Sequence, residues 1–395
     1  MSNVRWRFPA DGDPVEMRER ARIGEAMDAW WAEFQGKTAE LDAHFSGRAE
    51  WDLPGWMHRH LHAIDPHLMW EFGPGVMTSR RLVITPESRR DLRPLVDEIL
   101  RRAPHVAAWE FYPYRLPESY EMAVASVEAR TGGDLSGCLF VARPGPGNLV
   151  DLTFLLPSFL DEETDRGHMF VACETLLGEQ TLDTWIGQIS VQRKRWLSRG
   201  QPLASLREGV EAAIQQVRST LPAASCFEVI ESADWTLFEL EPQETGADAP
   251  GQTDMFVGSS MIPEMWKSAH AGAPFSSARF SRRDETFCFV KIDGREGLDA
   301  ARFDDRSEIE DALDDALIPQ KLGCHVGGGT GRCYSYIDLA LTDVRRGSEV
   351  VRQVLRDGNV PRRTWIQFFD DVWAHEWIGV YEDSPPPPLP QADAS

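Results

Sequence analysis

The apolar residues of this chain recur at two spacings, and the switching between them sets out its elements. Near the start Ile23, Met27, Trp30 and Phe34 fall at three- and four-residue steps, which predicts one face of a helix over 15–46. A second helix is expected over 53–64, with Asp52 as N-cap and Pro54 just inside. Strand-like stretches at 67–72 and 81–85 flank Gly73-Pro74-Gly75, which supplies a reversal. Thr85 and Pro86 then open a helix whose stripe is Leu92, Leu95, Val96, Ile99 and Leu100, and it stops before Pro104. Beyond a strand at 106–112, the pattern predicts helices over 118–130 and 163–177 and strands over 137–143, 148–155 and 184–191.

The second half repeats this grammar. Leu206, Val210, Ile214 and Val217 align on a helix over 203–220, and strands are expected at 226–231 and 235–241. Residues 242–254 read as loop by composition, before a short helix near 263–270 and strands at 276–281 and 286–292. Helices over 307–317 and 344–357 alternate with strands at 321–326, 333–341, 363–369 and 375–381. Strand pairs separated by single helices predict an α+β protein with two antiparallel-rich sheet-plus-helix domains. We expect them at 15–200 and 201–383, cut near 197–203, with a tail at 1–14 and a proline-rich tail at 384–395, disordered or polyproline II. The β-α-β-β-α-β order of a ferredoxin-like unit fits 286–381.

Charge narrows the partners. The chain holds 63 acidic and 41 basic side chains, a balance of −22. The excess is −7 over residues 1–200 and −15 over 201–395, from 30 against 23 and 33 against 18. Such a field repels phosphate backbones, so no nucleic acid is expected, and it favours a basic protein as partner. No stretch approaches the ~20 apolar residues that span a bilayer, so no membrane is expected either. The six cysteines form no C-x-x-C pair, which fits a reducing compartment and a cytoplasmic location.

Candidate chemistry is sparse. His58 and His62 stand at i and i+4 on the expected 53–64 helix, a spacing that can present two imidazoles to a metal, with Glu71 or Asp65 as third ligand. Arg59 occupies the place where a zincin helix carries its glutamate, and a cation there opposes metal binding. The glycine-rich run at 327–331 precedes a strand and not a helix, so it reads as a hairpin loop, with Arg332 leaving room for an anion. Cys324 and His325 are adjacent strand residues and point to opposite faces, so they form no dyad. Glu71, Glu110, Glu174 and Glu179 flank apolar segments, where a buried carboxyl can serve as acid or base. No motif calls for a cofactor.

Large rings stand on both faces of the 365–377 stretch: Trp365, Phe369, Trp373 and Trp377 are core residues of a doubly covered strand or anchors for a partner. Residues 30–109, with Trp-Glu-Phe-Gly at 70–73, Ile-Thr-Pro-Glu at 84–87 and Ala-Pro-His at 103–105, resemble bacterial proteins of unknown function. The 321–341 segment, with Gly-Gly-Gly-Thr-Gly and Tyr-Ser-Tyr-Ile-Asp-Leu, looks like another such module. Together these features lead to an expected non-enzymatic binding protein, of inhibitor or immunity type, for a basic partner. The alternatives are a metal-dependent hydrolase around His58, His62 and Glu71, or a small-molecule sensor.

Overall fold

A computed structural model describes residues 4–9, 12–244, 246–295 and 301–389. Backbone contacts group the chain into two units, 1–136 with 160–183 and 137–159 with 184–395, so the chain passes between them three times. The cut expected near 197–203 falls inside the second of these units. Among the described residues no helix is long and apolar enough to cross a membrane.

The first unit begins with α1 (Pro14–Gly36), α2 (Thr38–Phe45) and α3 (Leu53–Leu61). The single helix expected over 15–46 is broken at Lys37, whose backbone leaves helical geometry while its N–H still donates to Glu33 and Phe34 carbonyls. There follow β1 (Met69–Gly73), β2 (Arg80–Thr85), α4 (Arg93–Arg101), β3 (Trp109–Tyr112) and α5 (Tyr120–Thr131). β1 pairs antiparallel with β2, and β3 lies parallel on its other side. The stripe read from the sequence is the buried one: Ile23, Met27, Trp30 and Phe34 meet Trp56, Leu82, Val96 and Trp109 in one aromatic core.

The chain then supplies β4 (Leu139–Pro144) and β5 (Val150–Leu156) to the second unit, and returns for α6 (Glu162–Leu177) and the start of α7 (Glu179–Trp185). β6 (Ile186–Arg193) and β7 (Gln201–Pro202) complete a four-stranded sheet ordered β6-β5-β4-β7, on which α8 (Leu206–Thr220) packs. α9 (Cys226–Val229) stands where a strand was expected, and 276–281 holds a 3-10 turn in place of another.

The larger sheet is assembled from β8 (Thr236–Glu239), β9 (Met255–Ser260), β10 (Thr286–Asp293), β11 (Gly323–Gly331), β12 (Tyr334–Leu341), β13 (Thr364–Phe368) and β14 (Trp377–Gly379). Its helices are α10 (Pro263–Ala269), α11 (Arg306–Leu317) and α12 (Val344–Asp357). The order is β14-β13-β10-β12-β11-β9-β8, and every neighbouring pair is antiparallel. The β-α-β-β-α-β stretch from β10 to β13 contributes the central order β13-β10-β12-β11. The fold is therefore α+β with antiparallel-rich sheets.

Register fixes what each face carries, because side chains alternate along a strand. One row runs Leu237, Ser259, Gly328, Ile337, Val290, Ile366, on the face that α11 covers at β11 and β12. The next row, Phe238, Gly258, Gly329, Tyr336, Lys291, Trp365, looks the other way. The glycine run lies within β11 and forms no hairpin loop. A Cβ on Gly331 would stand 2.3 Å from Asp254 Oδ1, and one on Gly329 2.5 Å from the Val257 carbonyl oxygen. Glycine is needed there because β9 and Asp254 occupy the space a side chain would take.

The proline-rich tail is placed as far as Leu389. Trp365 Nε1 donates to the Pro385 carbonyl at 2.5 Å, and Pro387 is buried. Residues 390–395 lie outside the described residues, as do parts of the 1–14 tail.

Candidate functional site

The expected metal ligands do not converge. His58 and His62 stack face to face, ring centroids 4.9 Å apart, and His58 meets the edge of Trp70. Glu71 follows Trp70 on β1 and so points to the opposite side, where it pairs with Arg81 at 3.3 Å and Arg115 at 3.5 Å. Among the described residues no three His, Cys, Asp or Glu side chains gather as metal ligands.

The expected aromatic anchors are divided. Trp365 is 0% exposed and Trp377 8%, both packed in the core beside Phe289, Tyr334 and Tyr336, so a partner cannot reach them. Phe369 and Trp373 are half-buried, on Phe275 and Phe368 respectively. β13 is covered on both faces, which is the reason Trp365 belongs to the core.

The carboxylates of the first unit are occupied. Arg93, 3% exposed, donates to Glu179 at 2.6 Å, Asp183 at 3.2 Å and the Pro113 carbonyl at 2.7 Å, while its guanidinium lies over the Tyr114 ring. Thr85 adds its hydroxyl to Glu179 at 2.6 Å. Arg115 joins Glu174, Glu87 and Glu71, and Arg81 joins Glu71 and Glu118. A cavity of about 390 Å³ opens among these groups, with three arginines and three glutamates in its wall. Glu110 accepts from Tyr112 Oη and from the backbone N–H groups of Val76, Met77 and Thr78, which together hold its carboxyl at about 2. An acid so stabilised as its anion ties down the 74–79 loop and transfers no proton near neutrality.

In the second unit Lys291 is wholly buried. Its ammonium donates to the carbonyls of Ala249 at 2.5 Å and Gly251 at 2.8 Å and sits 4.1 Å from the Tyr334 ring centroid. Burial pushes it down to about 7, against the pull of Asp254. Asp254 in turn accepts from Tyr336 Oη and from the N–H groups of Cys333 and Tyr334. These groups pin the 246–254 loop over the sheet, beside a cavity of about 870 Å³ lined by Asp248, Arg363 and Pro386 to Pro388.

The arrangement that points outward is at the β8 edge. α11 covers β11 and β12, and over β8 the same face is left bare: Leu237 is 70% exposed and Trp235 42%. The Trp235 ring stacks on His325, which bonds Asp314 through Nδ1 at 2.6 Å and through its backbone N–H at 2.7 Å. Burial works to lower the His325 pKa, but that bond and the charges of Asp314, Glu310 and Asp311 outweigh it and raise the value. Arg306 reaches Glu310 at 2.8 Å and Thr330 at 3.4 Å, so the α11 positions 306, 310 and 314 form the wall that faces β11.

The segments that supply this face are rich in acids, although Asp248 and Asp254 lie in the loop over the Lys291 face. Between Arg218 and Lys267 the chain has nine acidic side chains and no Lys, Arg or His. From 304 to 315 it has seven acids and one arginine. None of the nine, and none of Asp304, Asp305, Glu308, Asp311 and Asp315, forms an ion pair among the described residues. The sequence reading counted the acidic excess of the second half but did not find this surface. Its linear signal is the base-free interval; that β8 is an edge follows only from the sheet order. Comparison with protein-family models, with curated proteins and with solved structures found no match to this chain.

Proposed function

We propose that this protein is a non-catalytic binding protein for a basic protein partner, which it engages on the face formed by α11 and the β8–β9 pair. The observation that carries the reading is the bare β8–β9 face, with Trp235 and Leu237 exposed, next to Asp234, Glu239, Glu241, Asp311 and Asp315, which form no ion pair among the described residues. Unpaired surface acids raise the rate of encounter with a positive surface, and a few exposed rings and aliphatic groups supply the contact that persists. An inhibitor or immunity-type role fits such a mode of action. In the first unit the acids around the cavity, Glu71, Glu118 and Glu174, are bound to arginine, which occupies the groups an enzyme reading would use there.

The test is affinity isolation from a lysate of the source organism at low and high salt, with an Asp311→Lys/Asp315→Lys variant run in parallel. A basic protein retained at near-stoichiometric yield, released by salt and missing from the variant, supports the reading. A partner retained equally by the variant, or a neutral or acidic one indifferent to salt, contradicts it.

A further inference from the structure

We infer that the partner engages by adding an extended, basic strand to the open edge of β8; this rests on the reading above and specifies its contact. β8 closes one end of the seven-stranded sheet and, among the described residues, pairs only with β9. Sheet edges are normally guarded by lysine, proline, a bulge or a covering segment. Thr236–Glu239 holds neither lysine nor proline, and its pairing with β9 runs in unbroken register. Leu237 and Glu239 stand exposed on the face toward α11, while Thr236 and Phe238 look to the other face, where Phe238 stacks on Trp266 at 4.0 Å. The edge is thus a short strand without lysine, proline or bulge, held in place by β9 and by Phe238 on Trp266.

Charge selects the occupant. A second copy of β8 would bring the base-free 219–266 interval against itself, with Asp234, Glu239 and Glu241 facing their counterparts across a low-dielectric contact. A strand bearing Lys or Arg at alternate positions instead places cations toward Glu239, Asp234 and the acidic α11 wall. Its apolar alternates look to the other face, beside Thr236 and Phe238, while the stems of the cations cross Leu237. Backbone hydrogen bonds supply the affinity and the alternate side chains the selectivity, as in other strand additions. With four residues available on β8, the contact by itself is weak, in about the micromolar range.

A peptide of alternating lysine and valine, roughly eight residues long so as to overhang β8 at both ends, is the probe. Binding to the full chain is followed by Trp fluorescence and by hydrogen exchange of the 236–239 amides. The expected result is saturable binding that weakens with salt, slower exchange at 236–239, and about tenfold weaker binding when alternate peptide nitrogens are methylated with every charge retained. Leu237→Lys, at a side chain exposed enough to leave the fold intact, is expected to weaken binding by about the same factor. If the methylated peptide binds as well and the 236–239 amides exchange unchanged, strand addition is wrong. The acidic surface still stands in that case if Asp311→Lys lowers affinity. If no basic peptide binds and α11 charge reversal changes nothing, both readings fall. Slower exchange at 236–239 on concentrating the protein alone would identify a second copy as the occupant and overturn the proposal.

Discussion

Two acid-rich regions of this molecule use their carboxylates in opposite ways. In the first unit Glu71, Glu87, Glu118, Glu174, Glu179 and Asp183 are joined to Arg81, Arg93 and Arg115. In the second, Asp234, Glu239 and Glu241 beside the open sheet edge and Asp311 and Asp315 on α11 form no ion pair among the described residues. Paired acids cancel their own field and hold elements together. Unpaired ones leave a field outside the protein and contribute little to holding it together. Residue type is the same in both places, and only the neighbours assign the role.

The comparison breaks most sharply at Arg93. Arg93→Ala strands Glu179 inside the first unit, and a loss of about 3–5 kcal/mol is expected, read by urea denaturation. Asp338 is next in size. Burial raises its carboxyl to about 7, so the native state holds its proton more tightly than the unfolded chain, and its contribution is lost as pH rises from about 4 through 7. Asp338→Asn is therefore expected to stabilise the protein at pH 8 by about 2 kcal/mol and to give no gain near pH 4. Lys291 slopes the other way: with its value lowered to about 7, its contribution falls as pH drops from about 10.5 toward 7. Lys291→Met should flatten that slope in melting temperatures measured between pH 7 and 10, and an unchanged slope would exclude the assignment. The smallest effect belongs to the open edge, where Asp311→Lys and Asp315→Lys should shift stability by no more than about 0.5 kcal/mol. A larger loss there would mean these acids are structural after all.

Much of the fold was legible. The 3.6-residue stripes of α1, α4, α8 and α11 are the buried ones, and the strands of the second unit's centre lie where alternation put them. What failed had local causes. Residues 226–231 carry β-rich apolar residues, but Ser225 and Glu228 close a capping box, with the Ser225 N–H on Glu228 at 2.8 Å, and helix wins. That Ser-x-x-Glu signal stands in the sequence and was passed over. β9 was hidden because Gly258, Ser259 and Ser260 have low strand propensity, and the strand forms because β8 and β11 hold it on both sides. The glycines of β11 suggested a loop, while the crowding that selects them comes from Asp254 and β9, remote in sequence. For the candidate surface, the acidic excess was countable, but sheet order alone makes β8 an edge and puts Trp365 on an inner strand.

The most direct test of the central claim is a calorimetric titration of the isolated partner against wild type and Leu237→Lys, each at two salt concentrations. The account expects the wild-type affinity to fall with salt and the variant to bind about tenfold more weakly at the lower salt, with its melting temperature unchanged. Equal affinities for the two proteins, independent of salt, would contradict it.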